Sequence, residues 1–295
     1  MLVLGSLLAL VSGMLNAAAA ALEKREGMRA GPGGRGLRLL ATLARRRLWA
    51  VAIGISVLAW LCEAASLATA PMPVVATLRN AGRGLLVVGG GRWLEERFSR
   101  PELLGVAMAS LGAVVTAIGA AHTAVSRRPL SNLRELAVGA GCLLAAATVA
   151  GAANRLGERR PARGGQAAGV ALGTAVGLLF AGTGVFTKEL GDRVALYGLG
   201  GLGGVAASAG PWLMVAMGIW AQSLIQQAFR RANAATVSAA IASVSSLGLI
   251  GAGFALYGEG VPGGASGGLL FGGVAVALAG TVLLLATRPA ATGAR

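Results

Sequence analysis

The chain has 295 residues, 55% of them hydrophobic and 13% charged, with a mean hydropathy of +0.72. A soluble domain carries about 25% charge, so this composition excludes a water-soluble protein and leaves no room for an appended soluble domain. The net charge of +15 comes from arginines scattered between apolar runs, which argues against a nucleic-acid partner and for a lipid environment.

The apolar residues fall in blocks near 20 long, enough to cross a hydrocarbon layer of about 30 Å. Nine spans are expected, at about 2–22, 48–69, 72–92, 102–121, 135–153, 166–187, 209–229, 234–257 and 267–287. The first lacks a basic n-region and is expected to be a retained helix rather than a signal peptide. The fourth carries small residues every four positions (Gly105, Ala109, Ala113, Ala117, Ala121), and the ninth carries Gly268, Gly272, Gly273, Ala277 and Gly280. Such stripes let membrane helices pack closely, here within one copy of the chain; a homo-oligomer is also compatible. Residues 194–208 are too few and too glycine-rich to span, and stand as a loop, a re-entrant piece or a half-helix. Cys62 and Cys142 lie inside apolar spans and suggest neither a disulfide nor a metal site. The single histidine, His122, closes a span and is expected to be solvated or to cap it.

Charge sets the orientation. With the N-terminus outside, 19 of the 26 Lys and Arg residues fall in inner segments and 5 in outer ones; the other two, Arg79 and Arg83, lie within a span. That split follows the positive-inside rule. It implies a multi-pass protein of the cytoplasmic membrane, N-terminus outside and C-terminus cytoplasmic. The basic cluster at 35–47 is placed to touch anionic lipid.

The chain also repeats itself. One apolar run ends in Leu22-Glu23-Lys24-Arg25-Glu26-Gly27 and another in Phe186-Thr187-Lys188-Glu189-Leu190-Gly191. Each precedes a Trp-marked span (Trp60, Trp220) and then a small-residue span closing on an acidic turn (Glu95-Glu96, Glu259). Repeat one is about 2–121, the connecting span about 135–153 and repeat two about 166–287, all within a single transmembrane domain, 1–295. An odd number of spans between equivalent points turns one copy upside down. The expected fold is therefore an all-α polytopic membrane protein, about nine transmembrane helices in an inverted-repeat bundle, the architecture of many secondary transporters.

Residues 70–98, from Ala70-Pro71-Met72-Pro73 to Trp93-Leu94-Glu95-Glu96-Arg97-Phe98, followed by Ser99-Arg100-Pro101-Glu102, resemble a segment of the drug/metabolite transporter (EamA-like) superfamily. There a span beginning near "AP" runs into a turn of the form "ER" or "GE". Gln226-Gln227-Ala228-Phe229 and Tyr257-Gly258-Glu259 repeat the pattern. The nine spans, Lys24, Lys188 and the Phe186–Gly191 stretch are most similar to the NIPA-like magnesium transporter branch. That branch has a Pro-Leu-Gly-type stretch where this chain has Thr77-Leu78-Arg79. The resemblance implies a transporter, and at branch level a divalent-cation carrier.

Three charges lie deep within spans: Glu63, Arg79 and Arg83. Glu63 is eight residues before Pro71 and Arg79 eight after it, so both sit about 12 Å from the turn, at matching depth. Arg79 and Arg83, four apart, share a helix face. One arginine can pair with Glu63; the excess charge beside Asn80 suits a carboxylate or phosphate, which the guanidinium fork grips bidentately. A buried ion pair holding two helices in register is the competing interpretation. In the second half, Gln222, Ser223, Gln226 and Gln227 occupy the seventh span and Ser238, Ser243, Ser245 and Ser246 the eighth. They form either ordinary interhelical hydrogen bonds or a polar wall facing the arginines, with Ser223 opposite Glu63.

No P-loop, nucleophile elbow, Cys/His set or catalytic carboxylate pair is present, so neither an enzyme nor a cofactor is expected. The expectation is a secondary-active carrier of a small anionic or zwitterionic metabolite, with Glu63, Arg79, Arg83, Asn80, Gln222, Ser223 and Gln226 as its substrate site. The alternatives are a Mg2+ carrier, for which a hard cation wants carboxylates and carbonyls and Glu63 stands beside two repelling arginines, and a non-transporting scaffold or partner subunit.

Overall fold

The computed structural model describes residues 2–29, 42–90, 100–120, 123, 125–126, 129–159, 161–232 and 234–286. His122, Glu95, Glu96, Arg35 and Arg38 of the basic cluster and the side chain of Arg83 lie outside the described residues. Ten helices are labelled in chain order: α1 Leu2–Arg29, α2 Arg47–Leu67, α3 Met72–Gly90, α4 Arg100–Gly119, α5 Asn132–Arg159, α6 Pro161–Tyr197, α7 Leu202–Ala207, α8 Gly210–Arg231, α9 Ala234–Ala255 and α10 Gly264–Ala286. No strand occurs among the described residues. Five helices, α1, α2, α5, α6 and α9, are long and apolar enough to cross a membrane. Large apolar side chains such as Val3, Leu61, Leu144 and Val282 point outward, where lipid tails solvate them without cost.

Every expected span overlies a helix, but several helices run further. The acidic-basic stretches read as span ends are helical interior instead. Lys188 lies nine residues before the end of α6, with Asp192 one turn on, and Glu189 pairs Arg193 at the same spacing. Such pairs prolong a helix by neutralising its charges on one face. Residues 194–197 complete α6; a turn at Gly198–Gly201, with Gly198 at φ 62°, leads into the short α7. Pro211 stands in the first turn of α8, where its missing N–H costs nothing.

Helix packing is nearly unchanged when the halves are exchanged. α1 packs on α2 and α3 as α6 packs on α8 and α9; α3 meets α4 as α9 meets α10; α3 meets α9 and α4 meets α10 across the centre. The most extensive helix contact is α4 on α10. A β-carbon built on Gly112 would fall 2.6 Å from the Gly273 carbonyl oxygen, and one on Gly273 2.7 Å from that of Gly112. One on Gly119 would lie 2.7 Å from the Ser266 oxygen, and one on Gly280 2.6 Å from the Gly105 oxygen. These partners match under one shift along the chain, 112 to 273, 119 to 280, 105 to 266, and the two helices run antiparallel. Gly268 and Gly272, part of the expected close-packing stripe, meet nothing within 4 Å. At 3.6 residues per turn a four-residue stripe drifts off the contact, and the true α4 face is Gly105, Ala109, Gly112, Thr116 and Gly119. α5 stands outside the exchange, packed on α6 and α8.

Candidate functional site

Polar side chains are buried at three levels of the bundle. At the middle, Arg79 of α3 is 3% exposed, and its Nη1 donates to Glu63 of α2. Its Nη2 donates to Ser245 Oγ of α9 at 3.2 Å; its Nε has no partner among the described residues. Beside it Asn80 Nδ2 donates to the Ala242 carbonyl at 3.0 Å, and Ser246 Oγ donates to the Ala76 carbonyl at 3.0 Å. Asn80 Oδ1 is buried without a partner among the described residues. α3 and α9 thus cross antiparallel, with Asn80 and Ser246 making reciprocal contacts and Ser245 facing Arg79. Close approach comes from Gly13 of α1, which lies against the Arg79 carbonyl.

The expected wall of glutamines is elsewhere. Gln226 is buried and donates to Glu23 of α1 at 3.4 Å; Gln222 also hydrogen-bonds Glu23, as does Ser56 of α2 at 3.4 Å. Ser223 is buried, and its carbonyl accepts from Gln227 at 3.2 Å. This second level is centred on Glu23, a residue that sequence reasoning treated as a span end. Between the levels Trp60 Nε1 donates to Thr187 Oγ1 at 2.9 Å.

The third level is a buried charge network built on one stretch of α6. Lys188 Nζ donates to both Asp192 oxygens at 2.9 and 3.0 Å, to the Ser126 carbonyl at 2.9 Å and toward the Leu67 carbonyl at 3.5 Å. It also lies 5.3 Å from the centre of the Tyr257 ring, near enough for a cation–π contact. Arg193 bridges Glu189 at 2.6 Å and Glu135 of α5 at 2.9 Å. The second oxygens of Glu189 and Glu135 accept from the backbone N–H groups of Leu130 and Gly210 near helix starts, and one oxygen of Glu259 accepts from that of Met72. Burial pushes the Glu259 carboxyl up to about 7; Lys188 and the Met72 N–H oppose the rise and Asp192 adds to it. Lys188 and Arg193, expected as outer-segment charges, lie instead within α6. The signal for a buried network was the i,i+4 spacing of Lys188 with Asp192 and of Glu189 with Arg193.

No group of three or more His, Cys, Asp or Glu among the described residues is placed to hold a metal ion. At the middle level the groups without a partner among the described residues are the Arg79 Nε–H, a donor, and Asn80 Oδ1, an acceptor. The chain matches no family model, no curated protein and no solved structure.

Proposed function

We propose that this chain is a secondary-active carrier of a small anionic or zwitterionic metabolite, working by alternating access across the cytoplasmic membrane. The observation that carries the proposal is the antiparallel, reciprocal crossing of α3 and α9 at a buried arginine. Two equivalent helices that cross antiparallel are related by an axis lying in the membrane plane, and carriers hold their substrate near such an axis. With α1–α4 and α6, α8–α10 as the repeats and α5 between them, the nine long helices then make nine crossings. Arg79 sits within one residue of the Asn80–Ser246 contact, so its guanidinium is near the axis. Intramembrane charges generally line a substrate or ion path.

In this conformation Glu63 occupies Arg79 as an internal stand-in for a substrate carboxylate. A substrate oxyanion would take that place, using Arg79 with Ser245, while Glu63, released, would hold an ammonium group or a proton. Among the described residues the Arg79 Nε–H and Asn80 Oδ1 have no partner, which leaves one donor and one acceptor on consecutive residues of α3 for a ligand carrying both. The magnesium alternative gains less support, because a hard cation needs several oxygen ligands and the carboxylate at this level is already paired with Arg79.

The test is uptake into proteoliposomes from a panel of radiolabelled amino acids, carboxylates and phosphate esters, read together with thermal stability. Arg79→Ala is expected to abolish uptake, Arg79→Lys to keep the fold with partial uptake, and Glu63→Gln to change substrate preference. Full uptake in all three, with stability alone reduced, would make the pair a structural clamp and move the site elsewhere.

A further inference from the structure

Glu259 lies in the connection between α9 and α10, outside the spanning helices, yet it is 2% exposed. Its Oε2 accepts the Met72 N–H at 3.0 Å, and its own N–H donates to the Gly253 carbonyl at 2.9 Å. It therefore ties the first residue of α3 to the last turn of α9, the two helices that meet at Arg79 and Ser245. Its other oxygen, Oε1, is buried without a hydrogen-bond partner among the described residues. A buried carboxylate oxygen with no donor is costly, and protonation removes the charge.

Among the described residues no cation forms an ion pair with it. From α6, Lys188 and Asp192 face it, but Lys188 directs its hydrogen bonds to Asp192 and to the carbonyls of Ser126 and Leu67. From α3 comes only the Met72 N–H. Tyr257, in its own turn, donates its hydroxyl to the Val185 carbonyl at 2.9 Å. α9, α10 and residues 103–119 of α4 carry no ionisable side chain. Further off, Glu135 and Glu189 are held by Arg193.

We infer that Glu259 is a proton-binding site coupled to movement at the Lys188 end of the bundle: protonated when that end is packed as here, and deprotonated when it opens to water. The step is simple in its balance. A proton from solvent binds the carboxylate before closure, and the same proton returns to water when opening solvates Glu259. A site that holds its proton more tightly in the packed state makes acid favour packing and alkali favour opening. The inference rests on the carrier proposal, which supplies a reason for this end to open.

Leu67 reports on that end: it is fully buried, and its carbonyl faces Lys188. The experiment uses Leu67→Cys in a Cys62→Ala, Cys142→Ala background, in lipid nanodiscs, labelled with a charged thiol reagent. At each pH, labelling is divided by that of denatured protein, which cancels the reactivity of the thiol itself. Normalised labelling is expected to rise on the order of tenfold between about pH 5.5 and about pH 8.5, and Glu259→Gln, the fixed mimic of the protonated form, is expected to hold it low at every pH. Labelling that is substantial but independent of pH, in protein that transports, overturns the proton site and leaves the carrier standing. No labelling at any pH, with no uptake of any panel substrate, overturns both. Should Glu259→Gln fail to fold, infrared difference spectra of the unmutated protein decide. A carboxylic C=O band that disappears as pH rises through about 7, and that moves in Glu259→Asp, supports the assignment; its absence overturns it.

Discussion

Asn80 and Ser246 each donate to the carbonyl four residues before the other: Asn80 to Ala242 at 3.0 Å and Ser246 to Ala76 at 3.0 Å. The exchange is possible only if α3 and α9 run antiparallel with these residues at the crossing. It brings two stretches 166 positions apart, one with an arginine and one with a serine, to a single buried point. At that point α3 contributes a charged side chain and α9 a neutral one.

The reciprocal α4–α10 seam predicts paired effects. Gly112→Val and Gly273→Val are each expected to lower stability by about 1–3 kcal/mol, since each adds side-chain bulk against the other's backbone. Gly268→Val and Gly272→Val, with open space around the β-carbon, should stay within about 0.5 kcal/mol of the parent. Thermal unfolding in detergent checks both; equal losses at all four glycines would refute the seam.

The middle pair should be strongly non-additive. Arg79→Met leaves Glu63 buried without its cation, a loss of about 3–5 kcal/mol. Adding Glu63→Leu removes the stranded group, so the double variant should be more stable than Arg79→Met alone. A double-mutant cycle by chemical denaturation measures the coupling, and additive losses would show that the two side chains do not interact.

Lys188 should be the least replaceable cation of the network. It is fully buried, and Asp192, also fully buried, takes two of its contacts. Lys188→Met is expected to cost about 3–5 kcal/mol, while Arg193→Met, whose side chain is 17% exposed, should cost less because water can reach Glu189 and Glu135. Comparing the two melting temperatures tests the order.

Stability should fall as pH rises through the range that Glu259 titrates. Its folded value of about 7 lies above the ordinary 4.5, so between these values the folded state binds more protons than the unfolded one. The slope of unfolding free energy against pH is then negative, and the contribution approaches on the order of 3 kcal/mol. Melting temperatures from pH 4.5 to pH 8 in wild type and Glu259→Gln should diverge in slope over this window and not below it.

The proposed orientation has its own test. In a cysteine-free background, Ser126→Cys should label from outside intact cells and Thr292→Cys only after the membrane is opened. Labelling of Thr292→Cys from outside would reverse the topology or remove one crossing.

Helix content and the positions of the apolar helices were legible in the sequence, because hydrophobic block length and residue type are local properties. So was the pairing of Glu63 with Arg79, since equal distance from one turn fixes equal depth. Three things needed the tertiary structure. Ser245 faces Arg79, and Gln222 and Gln226 turn instead to Glu23, because side-chain azimuth on a glycine-rich helix depends on which neighbours approach. The acidic and basic residues of 188–193 are core and not loop, because charges three or four apart can neutralise one another inside a helix once other helices supply backbone donors and acceptors. Glu259 is buried because the start of α3 at Met72 packs against it and donates to its Oε2, a long-range juxtaposition that no local pattern encodes.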